Sequence, residues 1–282
     1  MKPIILATAA AVMFAGAAMA ATHAGNDPVE PFKIADNLYY VGSSDIGIYL
    51  VKTPAGFILL DGGYDDTAPQ VLANIRKLGF DPKQVKILIN SHAHLDHAGG
   101  LAEIKRVTGA KLLSSRADAP SLEDGGKSDP AHLTGFPPVK VDGFVTDGQQ
   151  VELGGVHITA HLTPGHTRGC TSWTLPVQVE TKTLQALFVC SMSVLPQYRL
   201  VKNPTYPNIA ADYESTFAEL KRLPCDIFLG SHGQFYHLTE KRAAMAKPGP
   251  NPFVDPAGCK AFIAEFEASF RKRLAEEKGG KS

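Results

Sequence analysis

Net charge is missing: 28 lysines and arginines face 28 aspartates and glutamates. With no field to gather a phosphate backbone, the chain is not expected to bind nucleic acid. Beyond residue 20 there is no second run of about twenty apolar residues, so the mature chain is expected to be soluble, with no membrane span. No internal repeat is visible. No G-x-S-x-G turn mounts a serine nucleophile either: Gly230-Ser231-His232-Gly233 lacks that spacing, and Ser91 simply precedes a histidine. Cysteine is scarce, with Cys170, Cys190, Cys225 and Cys259 all in the second half.

The N-terminus, MKPIILATAAAVMFAGAAMA, opens with Lys2, runs through a short apolar stretch and closes on Ala18-Met19-Ala20. That pattern is a secretory signal rather than a membrane anchor. Residues 1–20 are read as the leader, with a cut after Ala24 as the second choice, and 21–282 as one domain. Export places the mature chain in the periplasm, where four cysteines allow two disulfides in three pairings.

Strands are read at LYYVG, IGIYLVKT and GFILLD, then a helix over 67–79, a buried strand over Val85–Ile89, and KLLSS at 111–115. Residues 118–137 show too little periodicity for an element and are read as a long surface loop that could wall a cleft. The segments QQVELGG, VHITAHLTP, CTSWTLPVQ and LQALFVCS then alternate as strands. A helix over 210–222, the strand DIFLGSH and a helix over 258–277 follow. Two β/α halves of this kind suggest two sheets packed face to face with helices outside.

Ten histidines occur, and three of them share SHAHLDH at 91–97 with an aspartate. In an extended segment His92 and His94 point the same way. If a helix starts after residue 94, Asp96 and His97 address a second point in space. Two pairs aimed at two points suit two adjacent metals, zinc by ligand type, with iron and manganese also compatible. His166, on a Pro-Gly turn, and His232, at the end of DIFLGSH, stand at strand ends like the cluster itself. His23, His132 and His237 are read as surface or satisfied core residues, and His157 and His161 as lying outside the ligand set. Asp61, after GFILL, is read as organising neighbouring loops through backbone N–H groups.

HxHxDH at a strand end resembles the metallo-β-lactamase superfamily. The segments GFILLDGG, LTPGHTRGCTSW, NPTYPNIAADYESTF and LPCDIFLGSHGQFY bring the resemblance closest to subclass B3 metallo-β-lactamases, across essentially the whole mature chain. It implies an α+β fold, a four-layer αβ/βα sandwich, and two Zn2+ per chain. One zinc would be held by His92, His94 and His166, the other by Asp96, His97 and His232. The resemblance also implies Ser191 and Ser193 near the substrate carboxylate, and disulfides Cys170–Cys190 and Cys225–Cys259. The first pairing also suits GCTSWTL and LQALFVC as neighbouring antiparallel strands.

The implied activity is hydrolysis of the β-lactam amide by a dizinc-bound hydroxide, with no serine, in a protein that acts as a monomer on a small-molecule substrate. Related lactonases and glyoxalase II-like thioester hydrolases carry a bridging aspartate where this chain reads Phe188-Val189-Cys190-Ser191-Met192-Ser193. That missing aspartate favours the lactam over a lactone or thioester. A zinc-binding protein without turnover, and a di-iron redox enzyme, are the readings from other classes.

Overall fold

The computed structural model describes residues 23–280; the leader, 1–20, lies outside the described residues. Chain order begins β1 (Phe32–Ala35), β2 (Leu38–Tyr40), β3 (Tyr49–Thr53), β4 (Gly56–Leu60), α1 (Ala68–Lys77), β5 (Val85–Ile89), α2 (Leu95–Ala98), α3 (Leu101–Thr108), β6 (Lys111–Ser115), α4 (Ala119–Asp124) and β7 (Gly143–Val145). It continues β8 (Gln150–Leu153), β9 (Val156–Leu162), β10 (Thr171–Val179), β11 (Lys182–Val189), α5 (Ile209–Arg222), β12 (Ile227–Gly230), α6 (Leu238–Ala244) and α7 (Pro256–Lys278). Strands β1 to β7 form one sheet in sequence order, and the other runs β12-β11-β10-β9-β8.

The two-residue period of β4 shows why the layers form. Ile58 and Leu60 join the core shared with the second sheet, which holds Trp173, Leu175 and Val177 of β10. Phe57 and Leu59, on the opposite face, join a separate core with Val71 and Ile75 of α1 and Ile104 of α3. A strand buried on both faces reads as a continuous apolar run, as GFILL does. Phe217 of α5 and Phe270 of α7 extend the inter-sheet core from the second sheet's side. The expected α+β sandwich with flanking helices is what forms.

β4, β5 and β6 are parallel neighbours, as are β11 and β12, so their carboxyl ends open onto common rims. The rims of the two sheets are tied together: Thr171 N–H donates to the Ser91 carbonyl at 2.8 Å, and Ile46 bridges His232 in antiparallel pairing. Gly47 N–H donates to the Ser231 carbonyl at 2.7 Å. A Cβ on Gly47 would collide with the Gly230 carbonyl, so only glycine permits that approach.

Residues 118–137 differ from their expected character. They contain α4, and Ala119, Leu122, Asp129, Ala131 and Phe136 are buried. A six-residue helix is too short for its period to register in sequence, and its burial comes from packing under the rim. Among the described residues, no helix is long and apolar enough to cross a membrane.

Both expected disulfides form, and no cysteine is free. Cys225–Cys259 ties α7 to the residue pair before β12 across 34 positions. Replacing both with serine is expected to cost about 3–4 kcal/mol by freeing the unfolded chain, measured by urea unfolding under non-reducing conditions.

Candidate metal centre

β5 ends at Ile89, the chain bends at Ser91 and Ala93, and His94, with an extended backbone at φ −92° and ψ 156°, precedes the single turn α2. The switch from extended to helical backbone separates the ligand directions as the spacing predicted. His92, His94 and His166 can each offer a ligand atom within 4.8 Å of the others. His94 Nδ1 and His166 Nε2 lie 3.2 Å apart. At the second point, His97 Nε2 is 3.2 Å from Asp96 Oδ2 and 3.4 Å from His232 Nε2. His232 Nε2 is 3.5 Å from the same carboxylate oxygen. The rings of His92 and His97 lie 4.4 Å apart, joining the two clusters.

Each ring is turned by what lies behind it. His166 Nδ1 donates to the Ser193 carbonyl at 2.8 Å; since a carbonyl only accepts, Nε2 must present its lone pair to the centre. His232 Nδ1 is 2.9 Å from Asp45 Oδ2, which turns its Nε2 inward in the same way. The outer nitrogen of His92 meets Ser91 Oγ at 2.9 Å. His97 Nδ1 faces Asp61 Oδ2 at 3.3 Å, and His94 Nε2 faces Asp129 Oδ1 at 3.4 Å. These last two nitrogens are buried, with no hydrogen bond of good geometry among the described residues, and each carboxylate stands at ion-pair distance.

The donor set fits a metal on this geometry. A tetrahedral zinc with bonds of about 2.0–2.1 Å sets its nitrogen ligands about 3.3 Å apart, close to the two N···N separations of 3.2 and 3.4 Å. Ring nitrogens held outward by carboxylates are the usual arrangement behind a metal-binding histidine. Cys170 and Cys190 also stand near His92, but their sulfurs are spent on the disulfide.

Asp61 does accept loop donors, Ser91 N–H and Ser91 Oγ, both at 2.6 Å. Ser191 is buried and Ser193 half-buried; Ser191 Oγ is 3.1 Å from Ser193 Oγ, which lies 3.2 Å from His166 Nδ1. Among the remaining histidines, His161 bonds Thr174 Oγ1 at 2.8 Å, His23 stacks on Tyr64, and neither joins the two clusters. Three carboxylates had escaped the sequence reading: Asp45, Asp118 and Asp129. Asp118 is 3% exposed and accepts from Ala93 N–H at 3.0 Å, Thr167 Oγ1 at 2.8 Å and Gly169 N–H at 2.8 Å. It thereby fixes the segment carrying His92 and His94 to the turn carrying His166. Gly169 is required there, because a Cβ would sit 2.5 Å from Asp118 N. Asp118 follows strand β6, so the strand-end rule that singled out His232 could have found it.

Electrostatics separates the clusters. Burial, reinforced by the neighbouring imidazoles, drives His92 far below the ordinary histidine range. Burial and then His94 do the same to His166. Burial also pushes His97 down, but Asp96 and Asp61 outweigh it and carry it up to about 10. Burial opposes ionisation of Asp96, yet His97 and His232 hold it well below the usual carboxylate range.

The chain matches the metallo-beta-lactamase superfamily over residues 47–232. It is 45% identical to the FEZ-1 metallo-beta-lactamase of Legionella gormanii, covering 90% of this chain and 98% of that one at a TM-score of 0.88. With BJP-1, a subclass B3 metallo-beta-lactamase of Bradyrhizobium japonicum, it shares 41% identity over 92% of this chain and 98% of that one, at a TM-score of 0.85. A hydroxyacylglutathione hydrolase of Hyphomonas neptunium is 32% identical over 82% of this chain and 74% of that protein. The match spans less than half the length of several other curated hydroxyacylglutathione hydrolases.

Two outcomes are expected. Asp118→Asn keeps the shape but sets an NH2 group against a donor whichever way the amide is turned, Gly169 N–H on one side or Ala93 N–H and Thr167 Oγ1 on the other, so it should cost about 1–3 kcal/mol in urea unfolding and weaken zinc binding by about 10–100-fold. In the metal-free protein His97 carries the second ring proton at neutrality, while His92 and His166 stay neutral imidazoles. An ion entering the Asp96/His97/His232 cluster must therefore displace roughly one proton, and affinity there should rise with pH toward the His97 value. Calorimetric zinc titration in buffers of different ionisation enthalpy measures that proton.

Proposed function

Because the chain belongs to the metallo-beta-lactamase superfamily, whose sandwich and histidine cluster it carries, we propose that it hydrolyses the amide bond of β-lactam antibiotics. The likeness to FEZ-1 and BJP-1 along nearly their whole lengths supports this reading. One observation carries the choice of substrate. After β11, where thioester and lactone hydrolases of the superfamily would place a bridging aspartate, stand a disulfide-bonded Cys190 and a buried Ser191. Among the described residues, Asp96 is the one carboxylate in the candidate ligand groups around His92.

His92, His94 and His166 would hold one zinc, and Asp96, His97 and His232 the other. Zinc bound there would supply Lewis-acid chemistry, lowering the pKa of a water toward neutrality and polarising a carbonyl. The protein's own part is orientation. Asp96, held ionised by His97 and His232, would accept a hydrogen bond from the water and align it. Ser191 and Ser193 offer hydroxyls toward the substrate carboxylate. Asp45, Asp61 and Asp129 hold three imidazoles at the angle their inward nitrogens need. The leader 1–20 would deliver the enzyme as a monomer to the periplasm.

Hydroxyacylglutathione hydrolases among the relatives make thioester hydrolysis the second reading. Nitrocefin turnover, abolished by EDTA and restored by zinc, against acyl-homoserine lactone and S-lactoylglutathione controls, separates the two. Faster turnover of either control would overturn the lactam reading. His232→Ala is expected to retain one zinc instead of two and to lose more activity than the 10–100-fold typical of groups behind a ligand. Full activity with both ions bound would refute the second ligand set.

A further inference from the structure

The segment 194–201, which starts directly after Ser193, has no helix or strand of its own. Six of its backbone groups are bonded by two side chains one turn apart on α7. Arg273 donates from Nη1 to the Val194 carbonyl at 3.2 Å and the Leu195 carbonyl at 2.9 Å. From Nη2 it donates to the Pro196 carbonyl at 3.4 Å and to the Tyr198 carbonyl. Glu277 Oε2 accepts the amides of Leu200 at 2.7 Å and Val201 at 3.0 Å. Glu277 Oε1 is 3.2 Å from Arg273 Nε, so the two hold each other. The planar guanidinium fork spends its donors on four carbonyls and one carboxylate, a task that a lysine's point charge cannot reproduce.

What this clasp holds lies against the centre. Tyr198 OH donates to the His166 carbonyl at 3.1 Å, and Gln197 Nε2 reaches the Ala131 carbonyl at 3.4 Å, joining the segment to the loop that carries Asp129. Between the first residues of the segment and α7 lies a cavity of ≈ 360 Å³, with Ser193 and Met192 on one side and Phe266 and Arg273 on the other. The candidate ligands sit instead beyond the ends of β5 and β12 and on the turn pinned by Asp118; among the described residues none of their hydrogen bonds goes to α7, and the segment touches the set at the His166 carbonyl, through Tyr198.

We propose that Arg273 and Glu277 are specificity-determining positioning residues: by clasping the backbone of 194–201 they set the shape of the wall beside Ser193, and hence which side chains next to the scissile bond are accepted. This rests on the hydrolase reading given above.

The test uses the zinc-loaded full chain, with Arg273→Ala, Glu277→Ala and, should the first fail to fold, Arg273→Lys. kcat and KM are measured for a penicillin, a cephalosporin and a carbapenem, beside zinc content and amide hydrogen exchange at Leu200 and Val201. The expected result is a change in relative kcat/KM among substrates of about fivefold or more, carried by KM. Zinc content should match the wild type, and exchange at both amides should be faster in Glu277→Ala. An equal fall for all substrates, no change, or loss of zinc would overturn the proposal. If the wild type instead turns over the lactone or thioester, the lactam reading fails, and a series of those substrates varied beside the scissile bond tests the clasp unchanged.

Discussion

Bare imidazole nitrogens repel one another, and this molecule holds two pairs of them at 3.2 and 3.4 Å. A lone pair facing a lone pair in a buried site is tolerable when a proton or a cation stands between them. Everything nearby serves to keep those lone pairs inward: the Ser193 carbonyl behind His166, Asp45 behind His232, Asp61 behind His97, Asp129 behind His94 and Ser91 behind His92. The clusters differ in how they meet the demand. The Asp96 cluster can hold a proton on His97 between two carboxylates, whereas His92 and His166 are too deeply buried and too close to other imidazoles to take one.

The sandwich supplies the rigidity this needs. Parallel strands deliver their ends to one rim of each sheet, and the two rims are joined by backbone bonds between residues 45–47 and 231–233. Beneath this junction Tyr49, fully buried, donates to the Gly230 carbonyl at 2.7 Å and lies 2.8 Å from the Tyr236 hydroxyl. The last residue of the candidate ligand set therefore stands on a junction between the two sheets, and a shift of one sheet against the other would move His232 relative to His97.

Around this fixed centre the walls are built differently. The segment 194–201 and the stretch after α4 lie outside the ladders; the first takes its shape from Arg273 and Glu277 reaching in from α7, the second from its own Asp129, which accepts the Ala131 and Leu133 amides. Metal chemistry placed on strand ends and selection placed on braced loops is a division that lets one change without the other.

HxHxDH was legible in sequence because backbone periodicity is local: alternate residues of a strand share a side, and a helical turn redirects the next two. His166 and His232 were legible as polar residues closing apolar strands, and the sandwich from runs such as GFILL that are buried on both faces. Asp118, just past a strand end, was open to the same rule, but Asp45 and Asp129 were not, since a single aspartate in a loop carries no period and its partner can lie 187 positions away, as His232 does from Asp45. The sequence by itself determined the candidate ligands and the element order, which follow from chemistry and spacing along one chain. Only the tertiary structure decided which nitrogen of each ring faces inward and what braces the walls, because both depend on groups that meet solely when the two sheets pack.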